Sequence, residues 1–134
     1  MALIGIDTNV LIRTFVRDDQ VQSDKVLRFV SELAAEDVLF VNLAVLLEFS
    51  WTLRSFYKYP RAMVLNALES LLERHDLELE YYDVVGDAVV ECRDNNCEFS
   101  DAVISFVNRS TGCLRTMTFD KEAAVRVPGM ELLA

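Results

Sequence analysis

The apolar positions run along the chain in two alternating rhythms. Residues 3–6 are a short apolar run, too short for a helix and right for a buried strand. Asp7, Thr8 and Asn9 follow, all residues that cap helices, and Val10, Leu11, Ile12, Phe15 and Val16 continue at helical spacing. Asp18 and Asp19 break the pattern. Residues 23–36 predict an amphipathic helix with Val26, Leu27, Phe29, Val30 and Leu33 inside and Asp24, Lys25, Arg28 and Glu32 outside. The next run, 38–41, reads as a second buried strand. Asn42 then caps a helix over 43–57, and Pro60 opens another over 61–74. Alternation over 77–81 predicts a half-exposed strand. Helices over 83–93 and 100–110, a buried strand over 114–118, a short helix over 121–125 and a last strand over 130–133 complete the series.

Strands that alternate with helices, several of them reading as buried, predict an α/β fold whose mainly parallel sheet is covered on both faces. No repeat, linker or composition shift divides the 134 residues, so one domain over 1–134 is expected. In such folds the ligand crevice lies beyond the carboxyl ends of the strands.

Composition narrows the function. Thirteen basic against 22 acidic residues leave a net charge of −9, which argues against coating nucleic acid by bulk electrostatics. It leaves room for an enzyme that grips nucleic acid through a few arginines and a metal ion, and it suits a basic protein partner. The uncharged run 38–47 is about half of the ~20 residues a membrane span needs, and the N-terminus lacks a basic signal region, so the cytoplasm is the expected compartment. Cys92, Cys97 and Cys113 form no CxxC pair and His75 lies far from them, which speaks against zinc and for buried or half-buried free thiols.

Four carboxylates stand where solvated surface acids do not. Asp7 follows the first strand. Glu48 lies in the apolar stretch NLAVLLEFSWTL, which predicts at least partial burial or a bond to Arg54. Asp101 opens an apolar helix, with Glu98 one turn before it, and Asp120 follows the fourth strand. Each has an ordinary reading as a cap, a helix-dipole contact or an ion-pair partner. Together they read differently. Like charges 4 Å apart repel by about 4 kcal/mol at an effective dielectric of 20. A hard divalent cation such as Mg²⁺ or Mn²⁺ relieves that repulsion, and phosphodiester or phosphoryl transfer is its chemistry. Trp51 and the phenylalanines read as core, and His75 as a surface residue.

The ordered motifs IDTNVLI, LLEFSWTL, FSDAVISF and TFDKEA resemble those of the PIN-domain ribonucleases, and within them the VapC-type toxins of toxin–antitoxin pairs. The likeness spans essentially the whole chain. It implies an α/β/α sandwich and a Mg²⁺- or Mn²⁺-dependent endoribonuclease, with tRNA or rRNA as the toxin substrate. It also implies a homodimer and a cognate antitoxin that places a basic side chain at the acidic site. The family's catalytic and metal-binding acids fall on Asp7, Glu48, Asp101 and Asp120, with Glu98 as a direct or water-mediated ligand in the place of a frequent Asp. Asn9 and Thr118 match supporting residues. Arg13 and Lys121, beside two of the acid motifs, are the expected phosphate contacts. The rivals are a PIN-domain RNase of RNA processing, a PIN fold without catalysis, and a phosphate receiver or DxD phosphatase. The last pair is disfavoured because Thr8 and Asn9 follow Asp7 where those folds want a further acid.

Overall fold

The computed structural model describes residues 2–134. The chain runs β1 (Leu3–Gly5), α1 (Thr8–Phe15), α2 (Gln20–Ser31), β2 (Val38–Val41), α3 (Leu43–Ser55) and α4 (Arg61–Leu72). It continues through β3 (Leu77–Leu79), α5 (Tyr82–Asn95), α6 (Phe99–Thr111), β4 (Thr116–Thr118), α7 (Lys121–Arg126) and β5 (Met130–Leu132). Every strand pairing is parallel, as the alternating rhythm requires. The strands are hydrogen-bonded in two groups: β1-β2-β3 in that spatial order, and β4 with β5.

β2 is the middle strand of the first group. Leu39 and Val41 on one of its faces are fully buried and Val38 and Phe40 on the other are half-buried, so both faces are covered. β1 is an edge strand, and for that reason the expected burial fails at Leu3, which is 54% exposed. β4 also departs from the buried reading. It pairs only with β5, and Met117 and Leu114 face outward.

The core is built from one face of each central helix. On α3 the buried positions Val45, Leu46, Phe49 and Leu53 share a stripe at helical spacing, and α4 supplies Val64, Leu65, Leu68 and Leu71. α5 adds Val85, Ala88 and Val89, and α6 adds Ala102, Val103 and Phe106. Each large side chain removed from water contributes about 1.5–3 kcal/mol. α3 is therefore not inward-facing all round. Glu48 and Trp51 lie off its buried stripe and are exposed, which corrects the expectation for both. The phenylalanines divide likewise: Phe49, Phe99 and Phe106 are core, whereas Phe56 and Phe119 are exposed.

Two further expectations move. α2 begins at Gln20 because Asp19 caps it through the Gln22 N–H, and its inward face carries Ser23 and Val26 while Leu27 faces solvent. Cys92 and Cys97 are buried as expected, the Cys97 thiol donating to Cys92 Sγ at 3.1 Å, whereas Cys113 is exposed on the turn after α6. His75 is exposed, as its place at the end of a helix predicts.

Candidate active site

The geometry begins with one face of α6. Asp101, Ser105 and Asn108 are spaced at i, i+4 and i+7, so they line up along the helix. Ser105 Oγ donates to the Pro128 carbonyl at 2.7 Å, and Asn108 Nδ2 donates to Thr116 Oγ1 at 3.0 Å. Both bonds fasten α6 to the β4-α7-β5 unit. Gly129 completes the seam. Its φ is +88°, and a methyl group on its Cα would come within 2.7 Å of Ser105 Oγ, so a side chain has no room there. The seam brings Asp120, at the end of β4, to the pocket that Asp101 lines.

Asp120 is oriented locally. Its Oδ1 accepts the Ala123 N–H at 3.0 Å as the cap of α7, and its own N–H donates to Thr118 Oγ1 at 3.0 Å. Thr118 thus shapes the turn that presents the acid. Asp101 sits in the first turn of α6 and accepts no hydrogen bond among the described residues.

Glu98 occupies the cap position of α6 without capping it. Its Oε1 instead accepts from Arg61, Nη2 at 2.7 Å and Nε at 3.3 Å, and lies 3.5 Å from Arg54 Nη2. Arg61 also donates to the Asn96 side chain and, at 3.2 Å, to the Asn96 carbonyl, which Arg126 reaches at 3.3 Å. Asn96 holds a left-handed φ of 56°, tolerable for Asn, and so turns the chain from α5 into Glu98. Arg54 pairs with Glu98 and not with Glu48.

Glu98, Asp101 and Asp120 line one small pocket of about 60 Å³ with Arg61 and Arg126 at its wall. Burial, then the charge of Asp120, then that of Glu98 raise the proton affinity of Asp101 above its ordinary value. Glu98 also borders a neighbouring groove that contains Glu48. Glu48 accepts from Thr8 Oγ1 at 3.2 Å, which ties α3 to the start of α1. There Asp7 caps the helix, its Oδ1 accepting from the Val10 N–H at 3.0 Å. Asp7 and Asn9 open onto a separate hollow with Arg13, and Asn9 makes no hydrogen bond to Asp7 among the described residues. The five acids therefore fall into a trio and a linked pair. No three of them, among the described residues, stand close enough to form a ready metal cage.

Residues 4–129 match the PIN domain family. The chain belongs to the PIN domain family. No curated protein matches it significantly. PIN domains are generally nucleases acting on RNA and typically use divalent metal ions.

The donor set of this PIN domain fits a hard divalent cation. It offers carboxylate oxygens, and each oriented acid uses one oxygen for its protein contact: Oδ1 of Asp7 and Asp120, Oε1 of Glu48 and Glu98. The expected phosphate contacts separate. Arg13 is engaged by Asp18, by Gln22 at 2.8 Å and by Tyr57 at 3.3 Å, whereas Lys121 is exposed beside Asp120. Sequence reasoning missed Thr8, Arg61 and Asn96. Arg61 reaches a partner 37 positions away, which no local spacing reveals, but the Asp94-Asn95-Asn96 run does carry the signal for a left-handed turn.

Proposed function

We propose that this PIN domain is a Mg²⁺- or Mn²⁺-dependent endoribonuclease acting on tRNA or rRNA, and the toxin of a type II toxin–antitoxin pair. The observation that carries the nuclease reading is the trio. Glu98 and Asp101 from the start of α6 and Asp120 from the end of β4 line one pocket, where burial, and then repulsion by Asp120 and Glu98, raise the proton affinity of Asp101. A structural cluster would gain nothing from such repulsion. Asp101 and Asp120 would hold the cation, with Glu98 reaching it through water, and Glu48 and Asp7 would complete the acidic wall on the α1–α3 side. When bound, the ion would supply charge stabilisation at the phosphoryl group and a water of lowered pKa. Arg61 holds Glu98 in place, Thr118 and the α7 cap hold Asp120, and Lys121 offers a phosphate contact next to it. With His75 exposed and lining neither the acid pocket nor the neighbouring groove, a carboxylate is the available proton acceptor.

The toxin reading is supported by the order of the four acid motifs and by the net charge of −9, which suits a basic antitoxin seated on the acidic pocket. A homodimer in the cytoplasm completes it. The test is cleavage of bulk tRNA and rRNA with Mg²⁺, Mn²⁺ or EDTA, beside Asp101→Asn. Discrete fragments that require metal and vanish in the variant are expected. If wild type neither cleaves nor shifts its melting temperature with metal, the acids are structural. Growth arrest on expression, relieved by a small basic protein encoded alongside, is the expected toxin signature.

A further inference from the structure

Two buried thiols meet beside the acid pocket. Cys92 lies in the last turn of α5, and Cys97 lies in the junction that leads from α5 into α6. Their sulfurs are 3.1 Å apart. Among the described residues no third His, Cys, Asp or Glu joins them in a group able to hold a metal ion. The thiols border different spaces. Cys97 lines the acid pocket with Glu98, Asp101 and Asp120. Cys92 lines a hollow of about 240 Å³ with Arg61, Leu65, Arg93 and Asn96. One water needs roughly 10–15 Å³, so a molecule as small as hydrogen peroxide has room in both. The junction itself is short. Asn96 takes its left-handed turn between the two thiols, and Glu98 follows Cys97 directly. A displacement of Cys97 is therefore passed to Glu98.

We propose that Cys92 and Cys97 form an oxidative modification site, which hydrogen peroxide closes into a disulfide, and that closure draws Glu98 away from the acid pocket. The disulfide is independent of the ribonuclease reading; its effect on the cation rests on that reading. The Cys97 sulfur attacks one peroxide oxygen, the O–O bond breaks, and a sulfenic acid and one water result. The Cys92 sulfur then attacks the sulfenic sulfur, the S–O bond breaks, and the hydroxyl leaves as a second water with the Cys92 proton. Two thiols lose two electrons and two protons, and one peroxide takes them up. A disulfide bond is about 2.05 Å long, so the sulfurs must approach by about 1 Å. Cys92 is held within α5 and does not line the acid pocket, so the junction gives and Cys97 moves toward α5. Glu98 moves with it, away from Asp101 and Asp120. Burial raises the proton affinity of both thiols, so the pair answers to sustained rather than passing peroxide. In a reducing compartment disulfides are uncommon, and those that form are mostly transient and redox-sensing.

The test uses the full chain with Cys113→Ser, which removes the exposed thiol. The reduced protein would be treated with hydrogen peroxide, and the peroxide destroyed before metal is added. Intact mass should fall by two hydrogen atoms and return with dithiothreitol. Mn²⁺ affinity, measured by calorimetry, should fall about 10- to 100-fold in the oxidised protein, the usual effect of disturbing a group that acts on a metal through water. Cleavage should fall with it, and both should recover on reduction. A readout that needs no metal is amide exchange at Ala102, whose N–H donates to the Glu98 carbonyl at 3.2 Å. That exchange should quicken in the oxidised protein. Adding Cys92→Ala should abolish the loss of hydrogen and the peroxide sensitivity of Mn²⁺ binding. A mass that does not change, or that only gains oxygen, overturns the proposal and leaves the nuclease reading intact. So does a disulfide that alters neither Mn²⁺ affinity nor Ala102 exchange, or peroxide sensitivity that survives Cys92→Ala. If the reduced protein neither binds Mn²⁺ nor cleaves RNA, the nuclease reading fails, and the mass and the Ala102 exchange still decide whether the disulfide forms and moves Glu98.

Discussion

Removing the Arg61 guanidinium should separate the positioning of the acid trio from its charge. Arg61 and Glu98 are joined by two N–H donors on one carboxylate oxygen, at 2.7 and 3.3 Å. Charge-assisted hydrogen bonds contribute about 1.5–3 kcal/mol when desolvated. This pair is not: the side chains are 27% and 43% exposed, and exposed pairs fall to about 0–1 kcal/mol. A coupling of about 1 kcal/mol is therefore expected from the cycle of wild type, Arg61→Ala, Glu98→Gln and the double variant. Arg61→Ala alone should cost more, about 2 kcal/mol, because it also frees the Asn96 turn. For a domain of this size that is roughly a 5–10 °C fall in Tm. Urea denaturation gives the coupling, and the pH profile of cleavage gives the electrostatic half. Asp101 must be ionised to hold a cation, and its proton affinity is already raised by burial, Asp120 and Glu98. Glu98→Gln removes one repelling charge, so the acid limb should move to lower pH. Arg61→Ala leaves Glu98 unscreened, so the limb should move to higher pH. A coupling near zero, or limbs that shift in the same direction, would show that Arg61 does not both place and neutralise Glu98.

Asp101→Asn should abolish cleavage and leave the metal-free protein as stable or more stable at neutral pH. A folded-state pKa raised above the unfolded one penalises folding increasingly as pH rises from the ordinary carboxylate value, so the variant's advantage should vanish in acid. Thermal melts across pH would check it, and a variant that melts well below wild type at pH 7 would return Asp101 to a structural role. Gly129→Ala should destabilise by about 1–3 kcal/mol, through its left-handed φ and the clash with Ser105, and should lower activity by shifting Asp120 from Asp101. Gly86→Ala, where nothing lies within 4 Å of the added carbon, is its control in the same denaturation series. The Arg74 fork on Asp76, with bonds of 2.9 and 2.7 Å, lowers the Asp76 pKa. Its stabilisation is present above the ordinary carboxylate value and lost as pH falls through the lowered one. Asp76→Asn should accordingly cost about 0.5–1 kcal/mol at pH 7 and nothing in strong acid.

The order and kind of the elements could be read from the residues alone, because burial on one face leaves a period of 2 or 3.6 in the chain. The parallel strands and the caps Asp7, Asn42 and Asp120 were legible in this way, since cap and capped N–H lie three residues apart. So were the acids, which interrupt apolar runs. Which acids meet was a tertiary matter. Asp101 and Asp120 share a pocket because Ser105 and Asn108 fasten α6 to β4-α7-β5, contacts that span 23 and 8 residues. Glu98 belongs to Arg61 rather than to a nearer base, and Glu48 to Thr8, across 37 and 40 residues. The exposure of Trp51 was equally hidden. The local pattern around it is apolar on every side, and only the packing of Val45, Leu46, Phe49 and Leu53 decides which side of α3 faces inward. Periodicity records how a segment meets an interface, whereas partners distant in sequence are chosen by the docking of whole elements, which leaves no local trace.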